Sequence, residues 1–159
     1  MMKIEKIGFG GGCHWCTEAV FSILKGVTQV EQGWIASVSP HQTFSEAVIV
    51  HFDGNLISLE TLVRVHLHTH SSTSYHAMRN KYRSAVYYFE TLHLKNISEC
   101  MEELKSEFIA PLITQTLPFS AFKASEEKFQ KYYEKNPEKP FCTLYIDPKL
   151  ELVKKLTTN

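Results

Sequence analysis

Hydrophobic and polar positions alternate, or apolar residues continue without a break, in five stretches of strand length. These stretches predict β-strands over residues 3–9, 27–36, 45–52, 85–89 and 113–121. Apolar positions recur at helical spacing in three longer segments, which predicts helices over residues 13–24, 59–67 and 97–108. A short helix is predicted to end at Tyr133, and residues 141–146 are predicted to be extended.

The order of these elements is β-α-β-β-α-β-α-β, followed by a helix and a tail. Strands and helices interleaved in this way predict an α/β (α+β) fold, a ferredoxin-like split β-α-β plait with helices packed on a mixed sheet. The C-terminal tail is expected to be extended. Because the chain has 159 residues and neither a repeat nor a linker rich in Gly, Pro or Ser, we expect a single domain over residues 1–159.

Composition removes several classes of protein from consideration. Basic and acidic residues are balanced at 17 each, so the chain lacks the positive surface that a nucleic-acid or anionic-membrane partner requires. No apolar run is long enough to cross a membrane, and the charged start lacks the apolar core of a signal peptide. A content of 43% hydrophobic residues is enough for a packed core. We therefore expect a small globular protein of the cytoplasm.

The most informative motif places two cysteines at C-x-x-C spacing directly after three glycines. Cys13 stands at the predicted start of a helix, where free backbone N–H groups and the helix dipole stabilise a thiolate. Cys16 follows one turn later, close enough to form a disulfide with Cys13. The motif predicts a nucleophilic or redox-active thiol, and the alternative is a pair of small apolar residues at a helix start. The full segment is Gly10-Gly11-Gly12-Cys13-His14-Trp15-Cys16.

Glu46 is the candidate proton donor. By strand alternation it shares a face with Phe44, Val48, Val50 and Phe52, so its carboxyl group is expected among apolar neighbours. A carboxyl group in such surroundings is protonated more readily than one in water, which suits a general acid. The alternative is an exposed glutamate at the start of a strand.

Some histidines and cysteines have spacings that occur in metal sites. His66 and His70 have the i, i+4 spacing of a metal-binding pair on a helix. However, no carboxylate or cysteine completes their ligand set at a familiar spacing, and Cys13 and Cys16 lack a second pair. No metal is therefore expected.

Five short segments resemble the peptide methionine sulfoxide reductases of the A type. They occur in the family's order over roughly residues 7–147, and together they are far more specific than one motif. The first, Gly11-Gly12-Cys13-x-Trp15, resembles the family signature G-C-F-W. The others are Glu18-Ala19-Val20-Phe21 with Gly26-Val27, Ser45-Glu46-Ala47-Val48, Tyr82-Arg83-Ser84-Ala85, and Lys135-Asn136-Pro137 with Phe141-Cys142.

The resemblance implies an enzyme that reduces the S epimer of methionine sulfoxide, free or in peptides. Cys13 would attack the sulfoxide sulfur and become a sulfenic acid, with Glu46 as the acid and Tyr82 bonding the sulfoxide oxygen. Cys142 matches the resolving cysteine, and Trp15 matches a wall of the pocket for the substrate's methyl group. The implied reductant is thioredoxin or another dithiol. No cofactor is implied, and a monomer is expected.

The chain departs from the family pattern at several positions, and three of these bear on the site. His14 replaces a phenylalanine of the methyl pocket, and Trp34 replaces a tyrosine. Cys16 replaces a glycine and offers a second resolving thiol, so Cys13 could pair with Cys16 or with Cys142. These departures leave two alternatives open. One is a thiol–disulfide oxidoreductase, or a reductase of another small sulfur oxide, that uses Cys13-x-x-Cys16; the other is a binding module without turnover.

Overall fold

The computed structural model describes residues 3–76 and 78–157 of the chain. Within them, six strands form one sheet. The strands are β1 (Ile4–Gly10), β2 (Val27–Ala36), β3 (Ser45–Asp53), β4 (Ala85–Tyr88), β5 (Gln115–Pro118) and β6 (Ala121–Ala124). The helices are α1 (His14–Ser22), α2 (Leu59–Thr69), α3 (Thr91–Leu104), α4 (Tyr132–Lys135) and α5 (Asp147–Thr157).

The sheet has the order β5-β4-β1-β3-β2-β6. Its four central strands, β4-β1-β3-β2, pair antiparallel, and the crossover helix α1 joins β1 to β2 across β3. This is the split β-α-β plait predicted from the order of elements, and the prediction is confirmed. β5 extends one edge in parallel with β4, and β6 extends the other edge antiparallel to β2, which makes the sheet mixed.

The main hydrophobic core lies between one face of the sheet and the helices. Phe9 of β1 stacks on Phe21 of α1 with ring centroids 4.6 Å apart, and both rings are fully buried. Burial of such a side chain stabilises the fold by about 1.5–3 kcal/mol. A smaller cluster covers the opposite face of the sheet, around Ile35, Ile49 and Tyr87.

Residues 113–121 do not form the single strand that was predicted. They contribute β5 at one edge of the sheet, and β6 begins at the other edge after only two intervening residues. The Phe119 N–H donates to Tyr88 O of β4, and the Ser120 N–H donates to Ala36 O of β2. The sheet therefore curls until its two edges approach each other over the smaller cluster.

The prediction of an extended C-terminal tail is wrong. Residues 142–146 form a π-helical turn that continues directly into α5. Cys142, Ile146, Leu150 and Val153 recur at helical spacing, and all four are buried in the main core. The β-branched and aromatic residues of 141–146 favour a strand locally, but burial of one helical face against α1 and α2 decides the conformation.

A buried polar network attaches the C-terminal segment to α1. The carboxylate of Glu18 accepts hydrogen bonds from Gln32 Nε2 at 2.8 Å and from the Lys131 backbone N–H at 3.0 Å. Lys131 has a positive φ of 54° and turns the chain into α4, which ends near the predicted place. None of the helices within residues 3–76 and 78–157 has the length and apolar character needed to cross a membrane.

Candidate active site

Cys13 is the residue at which α1 begins, as predicted. It is the N-cap residue of the helix, and its side chain makes no capping hydrogen bond, so the sulfur is left for chemistry. The preceding turn depends on Gly11, which has φ 146° and packs so closely on the ring of His70 that a Cβ would overlap it. The backbone N–H of Cys16 donates to the carbonyl oxygen of Cys13 at 3.1 Å, which closes the first turn of the helix.

Cys16 contacts Cys13 directly, and the two thiols have opposite properties. The Cys16 thiol donates a hydrogen bond to the Cys13 thiolate, which is the largest cause of a lowered pKa for Cys13. The same bond, followed by burial, raises the pKa of Cys16 strongly. These opposite shifts favour a thiolate at Cys13 and a protonated thiol at Cys16.

Glu46 is buried on the helix-facing side of β3, as predicted, with 6% of its surface exposed. The sheet register pairs it with Trp34 of β2, so the two side chains share a face. The carboxylate lies beside the start of α1, where Oε1 accepts the backbone N–H of His14 at 3.2 Å. The His14 ring is also buried and meets the edge of Trp34 at 5.0 Å. Because Glu46 is bonded to the backbone of His14, its carboxyl group lies next to Cys13, the preceding residue.

Lys81 reaches the other oxygen of Glu46 and also contacts Tyr82. The Glu46 backbone N–H donates to Lys81 O at 3.1 Å, which fixes this loop beside β3. Lys81 Nζ lies 3.5 Å from Glu46 Oε2 and is hydrogen-bonded to Tyr82, and these contacts raise the pKa of Lys81. Sequence analysis found Tyr82 but missed Lys81, although Lys81 directly precedes the matched Tyr-Arg-Ser-Ala segment.

Trp15 points towards the C-terminal segment. Its ring stacks on Tyr132 at 4.0 Å between ring centroids, and Phe141 and Phe129 lie at 5.3 and 5.7 Å. Its indole N–H is buried without an acceptor among the described residues. Trp15 therefore lies in an aromatic cluster with residues of the tail, whereas His14 and Trp34 surround Glu46.

Cys142 lies on the inner side of the cysteine pair and is fully buried. It is close enough to Cys16 to contribute to the raised pKa of that thiol, and burial raises the pKa of Cys142 itself. A cavity of about 40 Å³ adjoins the pair, large enough for a water molecule. Sequence analysis missed the lysine that lines it. Its wall consists of Gly12, Cys13, Cys16, Thr17, Val20, His66, Thr69, His70 and Lys149.

His66 and His70 are occupied by hydrogen bonds within the fold. His66 Nε2 donates to Gly10 O at 2.8 Å, and the His70 ring bonds His66 O and Ser84 Oγ. Burial lowers the pKa of His66 well below its ordinary value and that of His70 to about 4. In the part of the chain that the structure describes, no group of three metal-ligating side chains converges on one point.

Comparison with known proteins agrees with this arrangement. The sequence profile of the peptide methionine sulfoxide reductase family matches residues 5–159. The chain belongs to this family. The resemblance found in the sequence motifs is thereby confirmed, and the reductase is an oxidoreductase that acts on a sulfur group.

Individual relatives cover nearly the whole reductase. It is 33% identical to the peptide methionine sulfoxide reductase MsrA of Thermus thermophilus over 168 residues, which cover 97% of this chain and 96% of that protein. It is also 33% identical to MsrA of Acinetobacter baumannii over 156 residues, covering 89% of this chain and 90% of that protein.

Solved structures of similar proteins share the fold. Mxr1 from Saccharomyces cerevisiae in reduced form superposes with a TM-score of 0.78 at 23% identity, covering 88% of this reductase and 90% of that chain. Mxr1 in complex with Trx2 superposes with a TM-score of 0.65 at 22% identity, covering 82% and 85%. The mixed sheet with its packed helices is thus an arrangement found in solved structures of this kind.

Proposed function

We propose that this reductase acts on the S epimer of methionine sulfoxide, in peptides or as the free amino acid. In this proposal Cys13 is the nucleophile, Glu46 the general acid and Tyr82 a hydrogen-bond donor to the sulfoxide oxygen. The observation that carries it is the position of the Cys13 thiol at the start of α1, where the Cys16 side chain lowers its pKa and where Glu46 accepts the backbone N–H of the next residue, His14, at 3.2 Å. A stabilised thiolate beside a buried carboxyl group is what sulfoxide reduction requires.

The first step transfers the sulfoxide oxygen to Cys13. The thiolate attacks the substrate sulfur, Glu46 protonates the oxygen, and the sulfur–oxygen bond of the substrate breaks. The products are methionine, the sulfenic acid of Cys13 and a deprotonated Glu46. The substrate sulfur gains two electrons and the Cys13 sulfur loses two, so the step needs no further reductant.

Cys16 resolves the sulfenic acid. Its thiol stays protonated while Cys13 is a thiolate, because the hydrogen bond between them stabilises that state. Once Cys13 is a neutral sulfenic acid, the hydrogen bond to its thiolate no longer holds the proton on Cys16. The Cys16 thiol can then lose this proton and attack the sulfur of the sulfenic acid. The disulfide of Cys13 and Cys16 forms, and water leaves with the hydroxyl of the sulfenic acid.

Cys142 then receives the disulfide. It lies beside Cys16 in the core, so its thiolate can attack the Cys16 sulfur, break the bond between Cys13 and Cys16, release Cys13 as a thiolate and leave a disulfide of Cys16 and Cys142. An external dithiol such as thioredoxin restores the thiols; the structural relative Mxr1, solved with Trx2, supports this choice of reductant. We propose further that residues 1–159 act as one domain, as a monomer, in the cytoplasm, with no bound cofactor.

The test is a single turnover with separate epimers. Stoichiometric protein is mixed with S- or R-methionine sulfoxide, free and in a capped peptide, and methionine and remaining thiols are counted. We expect about one methionine per protein from the S epimer alone, with two thiols lost, and none with Cys13→Ser. Absence of methionine from every substrate, even with dithiothreitol, would contradict the proposal.

One alternative has a specific observation in its favour. The direct bond between Cys16 and Cys13 also suits a thiol–disulfide oxidoreductase, which needs no acid. Glu46→Gln separates the two functions. It should slow sulfoxide reduction by about 100-fold or more, the range of general acid catalysis, and leave reduction of a model disulfide by the cysteine pair within a few-fold.

A further inference from the structure

The ring of His14 has both nitrogens directed at fixed partners. Nδ1 lies 2.7 Å from Gly33 O, and because a carbonyl oxygen only accepts hydrogen bonds, Nδ1 carries a hydrogen. Nε2 lies 3.5 Å from Glu46 Oε1. The ring is 6% exposed and is held against Trp34, so water has little access to the space between His14 and Glu46.

The chemistry of these two atoms requires a proton. A neutral imidazole with its hydrogen on Nδ1 presents a lone pair at Nε2, and an ionised carboxylate presents only lone pairs. Two such groups facing each other in a buried site repel, whereas one proton on the pair removes the repulsion and, when it lies on Nε2, makes an ion pair across the 3.5 Å between the two atoms. We propose that His14 and Glu46 hold a single proton as a pair, and that His14 is thereby a positioning residue for the acid.

The other charged groups around the pair act in both directions. The His14 backbone N–H and Lys81 Nζ, which is itself bonded to Tyr82, favour the negative charge on Glu46. Lys123 lies farther away, with Nζ 5.9 Å from the Trp34 ring centroid. The Cys13 thiolate repels a negative Glu46 and so favours the protonated pair. Since Lys81 would otherwise tend to leave Glu46 ionised, a second site for the proton keeps it beside the acid.

This inference rests on the proposed function, and it closes the proton balance of that reaction. When the Cys13 thiol becomes a thiolate, the pair receives its proton. The same proton passes through Glu46 to the sulfoxide oxygen as the thiolate attacks, giving the sulfenic acid and methionine. Resolution by Cys16 releases water, and the exchange with Cys142 frees Cys13, whose next ionisation from thiol to thiolate returns a proton to the pair. The sequence had suggested only a wall of the methyl pocket at this position.

Three proteins, the wild type and two variants, separate a proton role for His14 from a structural one. His14→Asn keeps an amide donor near the position of Nδ1 for Gly33 O but has no group facing Glu46, and His14→Phe has neither. Single-turnover rates are measured from pH 5.5 to 9. Both variants should be about tenfold slower than wild type at pH 8.5 and within about threefold at pH 6. The reason is that a carboxyl group without a partner loses its proton at a lower pH than the pair does. Wild-type behaviour of His14→Asn would overturn the proposal.

The protonation of His14 can also be measured without substrate, so that the test of the pair does not depend on the reaction. Long-range nitrogen–proton spectra of ¹⁵N-labelled protein report the protonation of both His14 nitrogens across the same pH range. Glu46→Gln, which cannot share a proton in this way, should lower the midpoint of the His14 titration by at least one pH unit. An unchanged midpoint refutes the shared proton. A shifted midpoint in a protein that yields no methionine would refute the proposed function and leave the pair standing.

Discussion

The backbone N–H of Cys16 donates to Cys13 O at 3.1 Å, so the two thiols lie in the first turn of α1. Hydrogen bonding between the two side chains lowers the pKa of Cys13 and raises that of Cys16. A family position that the sequence motif associates with glycine thus carries, in this chain, a thiol that stabilises the thiolate of Cys13. In the proposed mechanism the same thiol forms the disulfide with Cys13.

Removal of the Cys16 thiol should weaken the nucleophile. In Cys16→Ala the Cys13 thiolate loses its main hydrogen bond, so the pKa of Cys13 rises and less thiolate is present at neutral pH. Alkylation of Cys13 by iodoacetamide at pH 7 should slow by about three- to tenfold, because a loss of one pKa unit in stabilisation is a factor of ten in thiolate.

Cys16→Ser is the matched control for that experiment, because a hydroxyl group still donates to the thiolate. Its alkylation profile should lie close to wild type. If Cys16→Ala and Cys16→Ser alkylate alike at every pH, the hydrogen bond is not what lowers the pKa of Cys13.

The order of the disulfides gives a second prediction. Cys142 is fully buried and lies beside Cys16, so Cys142→Ser should still form the disulfide of Cys13 and Cys16 and release about one methionine per protein in a single turnover. Steady-state turnover with thioredoxin should fall by about tenfold, a loss that reflects one slower exchange step. Peptide mapping of the quenched protein identifies the disulfide.

Cys16→Ser is the complementary variant for the relay. It should accumulate the sulfenic acid of Cys13, which dimedone traps. Direct formation of a disulfide between Cys13 and Cys142 at the wild-type rate in Cys16→Ser would show that Cys16 is not the first resolving thiol.

Stability should fall in mildly acidic solution because of two buried histidines. Burial lowers the pKa of His70 to about 4 and that of His66 well below its ordinary value, so both stay neutral in the folded protein. As pH falls, the unfolded chain binds protons at these residues at a higher pH than the folded protein does. The contribution of the two histidines to the free energy of unfolding is therefore fully present above about pH 6.5 and declines as pH falls towards the folded-state pKa values. His70 alone should contribute a loss of about 3 kcal/mol between pH 6.5 and 4.

Urea unfolding at several pH values between 4 and 7.5 measures this decline. His70→Gln should flatten the curve, whereas His41→Gln, a substitution at a partly exposed histidine of the loop before β3, should leave the slope unchanged. Equal slopes in wild type and His70→Gln would mean that His70 is protonated in the folded protein as readily as in the unfolded chain.

Local periodicity accounts for the part of the fold that was predicted. Apolar residues on one face recur every two residues in a strand and every three to four residues in a helix. Strands such as β2 and the helical start at Cys13 were therefore found from sequence. Residues 141–146 show the limit of that reasoning. Their composition favours a strand, and their helical conformation follows from the burial of Cys142 and Ile146 against distant helices.

The sequence by itself determined the order of elements from β1 to β5, the split β-α-β plait, the family and the identities of Cys13, Cys16, Glu46 and Tyr82 as candidates. Only the tertiary structure placed Gly33 O and Glu46 on either side of the His14 ring, and Lys81 on Glu46. Gly33 is 19 residues from His14 and Glu46 is 32 residues away. Contacts across such separations arise from sheet register and packing, and no local pattern along the chain encodes which polar atoms they bring together.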